Sequence, residues 1–185
     1  MAPRFDKLLV LDLDETLVHA VNAPLGRMPA QQVGPYAIYH RPGVVDFLER
    51  CLASFEVGIW TASTLEYAHP VLNGLVDRDR LAFIWGRERC TLRHDPETHE
   101  YEHLKDLKKL RRRGYRREKV LFVDDTPGKI ARSYGNYVRV APYYGAHEDD
   151  ELPLLADYLE HLGPAEDVRP IEKRGWQRRR RATER

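Results

Sequence analysis

The chain has 185 residues, 42% of them hydrophobic, with a formal net charge of +1, which fits one compact domain with its own core. No apolar run reaches the ~18 residues of a membrane span, and the N-terminus lacks the apolar run of a signal peptide, so we expect a soluble, cytoplasmic protein. Two cysteines are too few for a disulfide framework.

The first predicted element is a central strand. Residues 7–11 form a short apolar run that ends at Asp12, which is typical of a strand buried on both faces in a parallel sheet. Residues 20–40 are rich in Pro and Gly and predict a flap insertion rather than a helix. A helix is expected over residues 44–52, where apolar side chains follow helical spacing after Pro42.

The later elements alternate between strand and helix. Strands are predicted at 55–60, 81–85, 119–123 and 137–140, and helices from Leu65, over 104–113 and over 150–162. The polar, His-rich segment 87–104 is expected to form a surface hairpin insertion. This alternation is typical of an α/β domain in which helices flank a mostly parallel central sheet.

The C-terminal segment differs from the rest in charge. Residues 163–185 contain eight Lys or Arg and four Asp or Glu, a net of 8 − 4 = +4, so residues 1–162 carry 1 − 4 = −3. We expect a domain of residues 1–162 and a basic tail that is mobile unless it packs through Ile171 and Trp176. The run Arg178-Arg179-Arg180-Arg181 either contacts nucleic acid weakly or is only solvated.

Three predicted strands end in polar clusters. These are Asp12 with Asp14, Thr61 with Ser63, and Asp124 with Asp125. Because ligands of an open α/β sheet bind outside the carboxyl ends of its strands, the clusters form one pocket if the strands are neighbours. Four carboxylates in one pocket repel each other unless a cation lies among them, and Mg²⁺ with a substrate phosphate suits such oxygen ligands. A carboxylate can also act as a nucleophile towards phosphorus.

The order of these motifs is similar to that of a known superfamily. Asp12-Leu13-Asp14-Glu15-Thr16, Thr61, Lys105 and Asp124-Asp125 resemble the four motifs of the haloacid-dehalogenase-like (HAD) phosphatases. The narrower resemblance is to the small C-terminal-domain phosphatases, the NLI-interacting-factor-like branch. It is carried by segment 12–19, Arg41-Pro42-Gly43, Thr61-Ala62-Ser63, Arg87-Glu88-Arg89-Cys90 and Lys105-Asp106-Leu107. It covers residues 8–162 and implies a Rossmann-like core with small insertions and no large cap domain.

The resemblance also implies roles for single residues. Asp12 is the nucleophile, Asp14 the general acid and base, Thr61 a hydrogen-bond donor to the phosphoryl group, and Lys105 the cation that neutralises charge. The implied Mg²⁺ ligands are Asp12, the backbone carbonyl of Asp14, and Asp124 or Asp125, where the branch often has Asp-Asn. Thr16, Ala62, Ser63, Arg87 and Tyr67 are predicted to bind substrate.

Several of these residues have alternative interpretations. Arg87 is equally well explained by an ion pair with Glu88, and Tyr67 by core packing. A second group, Cys90, His94, His99 and His103, has a spacing that a structural zinc clip on the hairpin would need, although surface histidines are common without a metal.

The sequence therefore predicts a Mg²⁺-dependent phosphomonoester hydrolase that works through an aspartyl-phosphate. A phosphorylated protein or a nucleic-acid phosphate is the favoured substrate, because no large insertion separates Thr61 from Lys105 and the site is expected to be open. The alternatives are a phosphatase of small metabolites and, with less support, a binding module that has lost catalysis.

Overall fold

The computed structural model describes residues 2–94, 99 and 101–183, and within the last helix it describes side chains only up to residue 179. The strands are β1 (Leu8–Leu11), β2 (Val18–Val21), β3 (Gln31–Val33), β4 (Tyr36–His40), β5 (Glu56–Trp60), β6 (Phe83–Trp85), β7 (Thr91–His94), β8 (Tyr101–Leu104), β9 (Val120–Asp124) and β10 (Tyr137–Arg139). The helices are α1 (Val44–Ser54), α2 (Leu65–Asn73), α3 (Leu107–Arg111), α4 (Glu151–Leu162) and α5 (Trp176–Thr183).

Five parallel strands form the central sheet in the order β10-β9-β1-β5-β6. The prediction that the first strand is central is confirmed, since Leu11 lies beside Ile59 on one side and Val123 on the other. Parallel strands end at the same edge, so the residues that follow β1, β5 and β9 share one edge of the sheet.

The sheet separates two cores, and β1 contributes to both. Leu9 and Leu11 point into a core built with α1, α2 and α4, whereas Leu8 and Val10 point into a smaller core that contains Leu110 of α3. Side chains of a strand alternate between faces, so a strand buried on both sides reads as an unbroken apolar run. This burial on both faces explains why residues 8–11 are all apolar and do not alternate with polar residues.

Two small insertions border the domain, as predicted. The flap is an antiparallel sheet in the order β2-β4-β3, and β7 pairs with β8 in the expected hairpin. Arg41, directly after β4, connects the flap to the domain. Its buried guanidinium donates two hydrogen bonds to the Asp149 carboxylate and one to the carbonyl oxygen of Ala141. Across the described residues there is no further domain over the sheet, and no helix is long and apolar enough to cross a bilayer.

The predicted helix at 104–113 is too long. Helix α3 covers only Leu107–Arg111, and Asp106 caps it by accepting a hydrogen bond from the backbone N–H of Lys108 at 3.0 Å. Lys105 therefore lies between β8 and the helix cap, not on a charged helix, and its side chain is buried.

The segment after Leu162 packs on the domain instead of forming the mobile tail that composition suggested. Trp176 is 1% exposed and stacks on Tyr158 of α4, with 5.2 Å between ring centroids. Its indole N–H donates a hydrogen bond to the carbonyl oxygen of Arg139, and the Gln177 amide donates to the same oxygen. Val168 and Lys173 are buried as well, and the Lys173 ammonium group donates a hydrogen bond to the carbonyl oxygen of Gly135, so Trp176 acts with other anchors to order this segment.

Replacing Trp176 by Ala is expected to lower the free energy of unfolding by about 3–5 kcal/mol, because a buried indole is lost and a cavity is left. Denaturant titration followed by circular dichroism measures this change. The matched control is Tyr134→Ala, at a side chain that is 63% exposed, where we expect less than about 0.5 kcal/mol. Equal effects of the two substitutions would show that the C-terminal segment does not pack as described.

Candidate active site

The three predicted polar clusters meet at the carboxyl edge of the sheet. Asp12 follows β1 and its backbone N–H donates to the carbonyl oxygen of Val123, while Thr61 follows β5 and Asp124 ends β9. The Thr61 hydroxyl lies 3.3 Å from a carboxylate oxygen of Asp14. Strand ends that are far apart in sequence thus form one site.

Asp12 is a buried carboxylate held between two lysines. It is 1% exposed, and Lys105 Nζ lies 2.8 Å from its Oδ1 while Lys129 Nζ lies 2.8 Å from its Oδ2. Burial alone would raise the pKa of Asp12, but the two ammonium groups outweigh it and hold the pKa below its usual value. Asp12 is therefore ionised, as a nucleophile must be.

Asp124 is a second buried aspartate, next to Asp12. Its Oδ2 lies 2.6 Å from Lys105 Nζ, and its Oδ1 accepts a hydrogen bond from the backbone N–H of Thr126 at 2.9 Å. Burial, followed by the negative charge of Asp12, raises the pKa of Asp124 to about 6 against the effect of the lysines. Both oxygens of Asp124 thus have partners within the protein.

Asp125 differs from Asp124 in having one carboxylate oxygen outside any hydrogen bond. Its Oδ2 accepts a hydrogen bond from the Thr126 hydroxyl, but its buried Oδ1 has no hydrogen-bond partner. Asp12, Asp124 and Asp125 each offer an oxygen within 4.8 Å of the others, and in the described part of the chain no other group of acidic, His or Cys side chains is arranged to hold an ion. A buried, unpartnered carboxylate oxygen in an all-oxygen group fits a hard divalent cation.

Asp14 lies in a different environment from Asp12. Its carboxylate accepts hydrogen bonds from Ser63 Oγ at 2.7 Å and from the Tyr67 hydroxyl at 2.6 Å, in addition to Thr61. Burial raises the pKa of Asp14 even though these donors favour its charged form. A carboxyl group with a raised pKa beside an ionised one is the arrangement that acid–base work requires.

The residues predicted to bind substrate fall into two groups. Ser63 and Tyr67 contact Asp14, so their direct role in the structure is to orient that carboxyl group. Arg87 is exposed and donates a hydrogen bond to the backbone oxygen of Ala62 at 3.1 Å, so it borders the site next to Thr61. Thr16 is fully buried, as Asp12 and Thr61 also are, and its role in binding substrate stays a prediction. Its hydroxyl has no hydrogen-bond partner.

The zinc clip suggested by the hairpin is not formed. Cys90 is buried, and its thiol lies 3.9 Å from the carbonyl oxygen of Thr61. Of the described His and Cys residues, including His94, His99 and His103, none belongs to a group that could hold an ion. The spacing in sequence did not account for the direction in which Cys90 points.

Lys129 is the site residue that sequence reasoning missed. It lies on the short helical turn Pro127–Ile130, and the attraction of Asp12 and Asp124 raises its pKa despite burial. A signal was present, because Lys129 follows Asp125 by four residues across a turn that Pro127 begins, and that spacing brings side chains together. The family motifs do not include this position, so the resemblance did not point to it.

Comparison with known proteins places the chain in a family. The model of the NLI interacting factor-like phosphatases matches residues 7–169. The chain belongs to this family. A probable C-terminal domain small phosphatase of Dictyostelium discoideum is 33% identical over 172 residues, which are 89% of this chain and 53% of that protein. The human carboxy-terminal domain RNA polymerase II polypeptide A small phosphatase 1 is 34% identical over 172 residues, 88% of this chain and 62% of that protein. The chain thus spans 53% and 62% of the length of these two curated relatives.

Solved structures agree on the fold. Fcp1, described as an essential RNA polymerase II CTD phosphatase, superposes with a TM-score of 0.57 at 18% identity, over 96% of this chain and 61% of that one. A haloacid dehalogenase-like family hydrolase from Xanthomonas campestris gives 0.54 at 11% identity, over 86% and 97%. The predicted α/β core of the HAD type is confirmed.

Replacing Tyr67 by Phe is expected to raise the pKa of Asp14 further, because the charged carboxylate loses a short hydrogen bond. Carboxyl ¹³C NMR titration of aspartate-labelled, metal-free protein measures the change. Tyr36→Phe is the control, since the ring of Tyr36 lies 5.8 Å from that of Tyr67 and none of the described hydrogen bonds joins it to Asp14. An unchanged or lower pKa in Tyr67→Phe would contradict the orienting role of this hydroxyl.

Proposed function

We propose that this protein is a Mg²⁺-dependent phosphomonoester hydrolase that uses Asp12 as its nucleophile. The observation that carries the proposal is the pair of unlike carboxyl groups, Asp12 and Asp14, at one edge of the sheet. Asp12 is ionised between two ammonium groups, and Asp14 has a raised pKa among hydroxyl donors. Membership of a phosphatase family supports this assignment.

The reaction has two displacements. In the first, a carboxylate oxygen of Asp12 bonds to phosphorus while the bond from phosphorus to the substrate oxygen breaks, and Asp14 gives its proton to that departing oxygen. In the second, Asp14 takes a proton from a water molecule whose oxygen bonds to phosphorus. The bond between phosphorus and Asp12 then breaks, which releases inorganic phosphate and restores both carboxyl groups.

Lys105 and Thr61 stabilise charge during both displacements. Lys105 is buried and bridges Asp12 and Asp124, so it is fixed before a substrate arrives. Fixed cations and donors are the main source of catalysis where charge spreads over the phosphoryl oxygens. The Thr61 hydroxyl lies beside Asp14 and is held there by the Ser63 N–H, so a phosphoryl oxygen would take the place of Asp14 as the acceptor of its hydrogen bond.

The metal would be held by Asp12, by the backbone carbonyl of Asp14 and by Asp125. Asp125 is a better direct ligand than Asp124, because both oxygens of Asp124 are engaged with Lys105 and Thr126 while Asp125 Oδ1 has no hydrogen-bond partner. When bound, Mg²⁺ supplies positive charge to the phosphoryl group and offsets the repulsion between phosphate and carboxylate.

The proposed substrate is a phosphorylated serine or threonine in a protein. Several relatives are named for the carboxy-terminal domain of RNA polymerase II, which is a phosphoprotein segment. The flap beside the site carries exposed apolar side chains, Leu25, Met28 and Tyr36, and the ring of Tyr36 meets that of Tyr67 next to Asp14. An apolar border favours a peptide over a nucleic acid, whose backbone needs basic contacts. Weak nucleic-acid contact through Arg178–Arg181 and a cytoplasmic location stay predictions.

Replacing Asp12 by Asn is expected to lower Mg²⁺-dependent hydrolysis of p-nitrophenyl phosphate by at least ~10³-fold, because the amide is no nucleophile. Steady-state release of nitrophenol measures it, with folding checked by circular dichroism. Asp6→Asn is the control, since that side chain is 91% exposed and lies outside the site. Full activity in Asp12→Asn would rule out Asp12 as the nucleophile.

A substrate panel is expected to favour phosphoserine peptides. We expect kcat/KM for such peptides to exceed that for 2′- and 3′-phosphorylated oligonucleotides and for sugar phosphates by about 10-fold or more. Phosphate release measured at equal substrate concentrations checks this order. If oligonucleotides or sugar phosphates lead the series, the substrate class is wrong while the hydrolase assignment stands.

A further inference from the structure

Lys129 has an unusual position for a second cation. Its Nζ lies 2.8 Å from Asp12 Oδ2, 3.8 Å from Asp124 Oδ1 and 3.8 Å from Asp125 Oδ1. These are the three residues whose carboxylates are close enough to hold a metal ion together. One ammonium group therefore faces all the side chains that a divalent ion would use.

Lys105 and Lys129 divide the carboxylate oxygens between them. Lys105 takes the opposite oxygens, Asp12 Oδ1 and Asp124 Oδ2, and its side chain is 1% exposed. Lys129 takes Asp12 Oδ2, and the oxygen of Asp125 that it faces has no hydrogen-bond partner. Each lysine thus faces one buried oxygen without a hydrogen-bond partner, Asp12 Oδ1 on the side of Lys105 and Asp125 Oδ1 on the side of Lys129.

The two lysines also differ in their freedom to move. The Lys129 side chain is 22% exposed, so its ammonium group has a path to solvent, unlike that of Lys105. The backbone of Lys129 is fixed, because its carbonyl oxygen accepts a hydrogen bond from the Lys105 N–H at 2.8 Å. Movement of this ammonium group away from the carboxylates would therefore involve the side chain and not the backbone.

A divalent ion and this ammonium group exclude each other. Mg²⁺ binds carboxylate oxygens at about 2.0–2.1 Å, so an ion on Asp12 Oδ2 would lie no more than about 5 Å from Nζ in its present position. Two cations at that separation in a partly buried site repel strongly. Lys129 in its present position consequently opposes binding of the ion.

We propose that Lys129 is a built-in competitor for the divalent ion, which sets the metal affinity of the site by occupying the same carboxylates. The inference rests on the proposed function, since it takes the aspartate group as the Mg²⁺ site. Lys129 balances the carboxylate charge until the ion replaces it, and the affinity for Mg²⁺ is lower than Asp12 and Asp125 would give without this lysine.

The test compares Mg²⁺ dissociation constants of the full chain by isothermal titration calorimetry. Lys129→Met is expected to bind Mg²⁺ at least ~10-fold more tightly than the wild type, and its melting temperature is expected to rise more on adding Mg²⁺. Lys129→Arg keeps the charge and is expected to retain weak binding. Lys119→Met is the matched control, because its Nζ is also 3.8 Å from an aspartate oxygen and its side chain is 21% exposed, but that partner is Asp6, outside the site.

The outcomes separate the two proposals. Unchanged or weaker Mg²⁺ binding in Lys129→Met, with the wild type still binding the ion, overturns the competitor role and leaves the hydrolase assignment intact. Absence of Mg²⁺ binding in both the wild type and Lys129→Met overturns the metal site and this inference with it. If Lys129→Met does not fold, Lys129→Gln serves in its place, and the same comparison decides.

Discussion

Burial of the Asp12 carboxylate is the constraint on which the site depends. A carboxylate that is 1% exposed stays ionised only if cations replace the water it has lost, and here Lys105 and Lys129 do so. Each lysine comes from a different part of the chain, Lys105 from the end of the β7–β8 hairpin and Lys129 from the turn after β9. The backbone N–H of Lys105 donates a hydrogen bond to the carbonyl oxygen of Lys129, which joins the end of the hairpin to the turn after β9. The hairpin is therefore part of the catalytic framework as well as a border of the site.

The site also separates two carboxyl groups that are only two residues apart in sequence. Lysines surround Asp12 and hydroxyl groups surround Asp14, so the pKa of one is lowered and that of the other is raised. The difference follows from the turn after β1, which directs Asp12 towards β9 and Asp14 towards the residues after β5. Two identical side chains thus take opposite roles because their neighbours differ.

The sequence predicted most of the framework but only part of the site. Apolar runs that end in Asp12, Thr61 and Asp124 predicted three strands, which the structure shows to be neighbours, and the family motifs supplied Lys105. Lys129 was missed because its contact with Asp12 spans 117 residues and lies outside the motifs. The predicted helix near Lys105 began too early. A run of charged residues with helical propensity does not reveal which residue caps the helix, and here the cap is Asp106. For the basic C-terminal segment, the sequence indicated packing through Ile171 and Trp176 as the alternative to a mobile tail, and only the structure shows that Trp176 is buried.

Trp176 also covers part of one edge of the central sheet. Strand β10 ends the sheet on one side, and an open edge is a template on which another chain can add a strand. The carbonyl of Arg139 on this strand is occupied by hydrogen bonds from Trp176 and Gln177. A chain cut at residue 169, where the family match ends, would keep every catalytic residue but leave that carbonyl open and the Tyr158 ring uncovered. The C-terminal segment thus covers part of this edge of the sheet and contributes none of the catalytic residues.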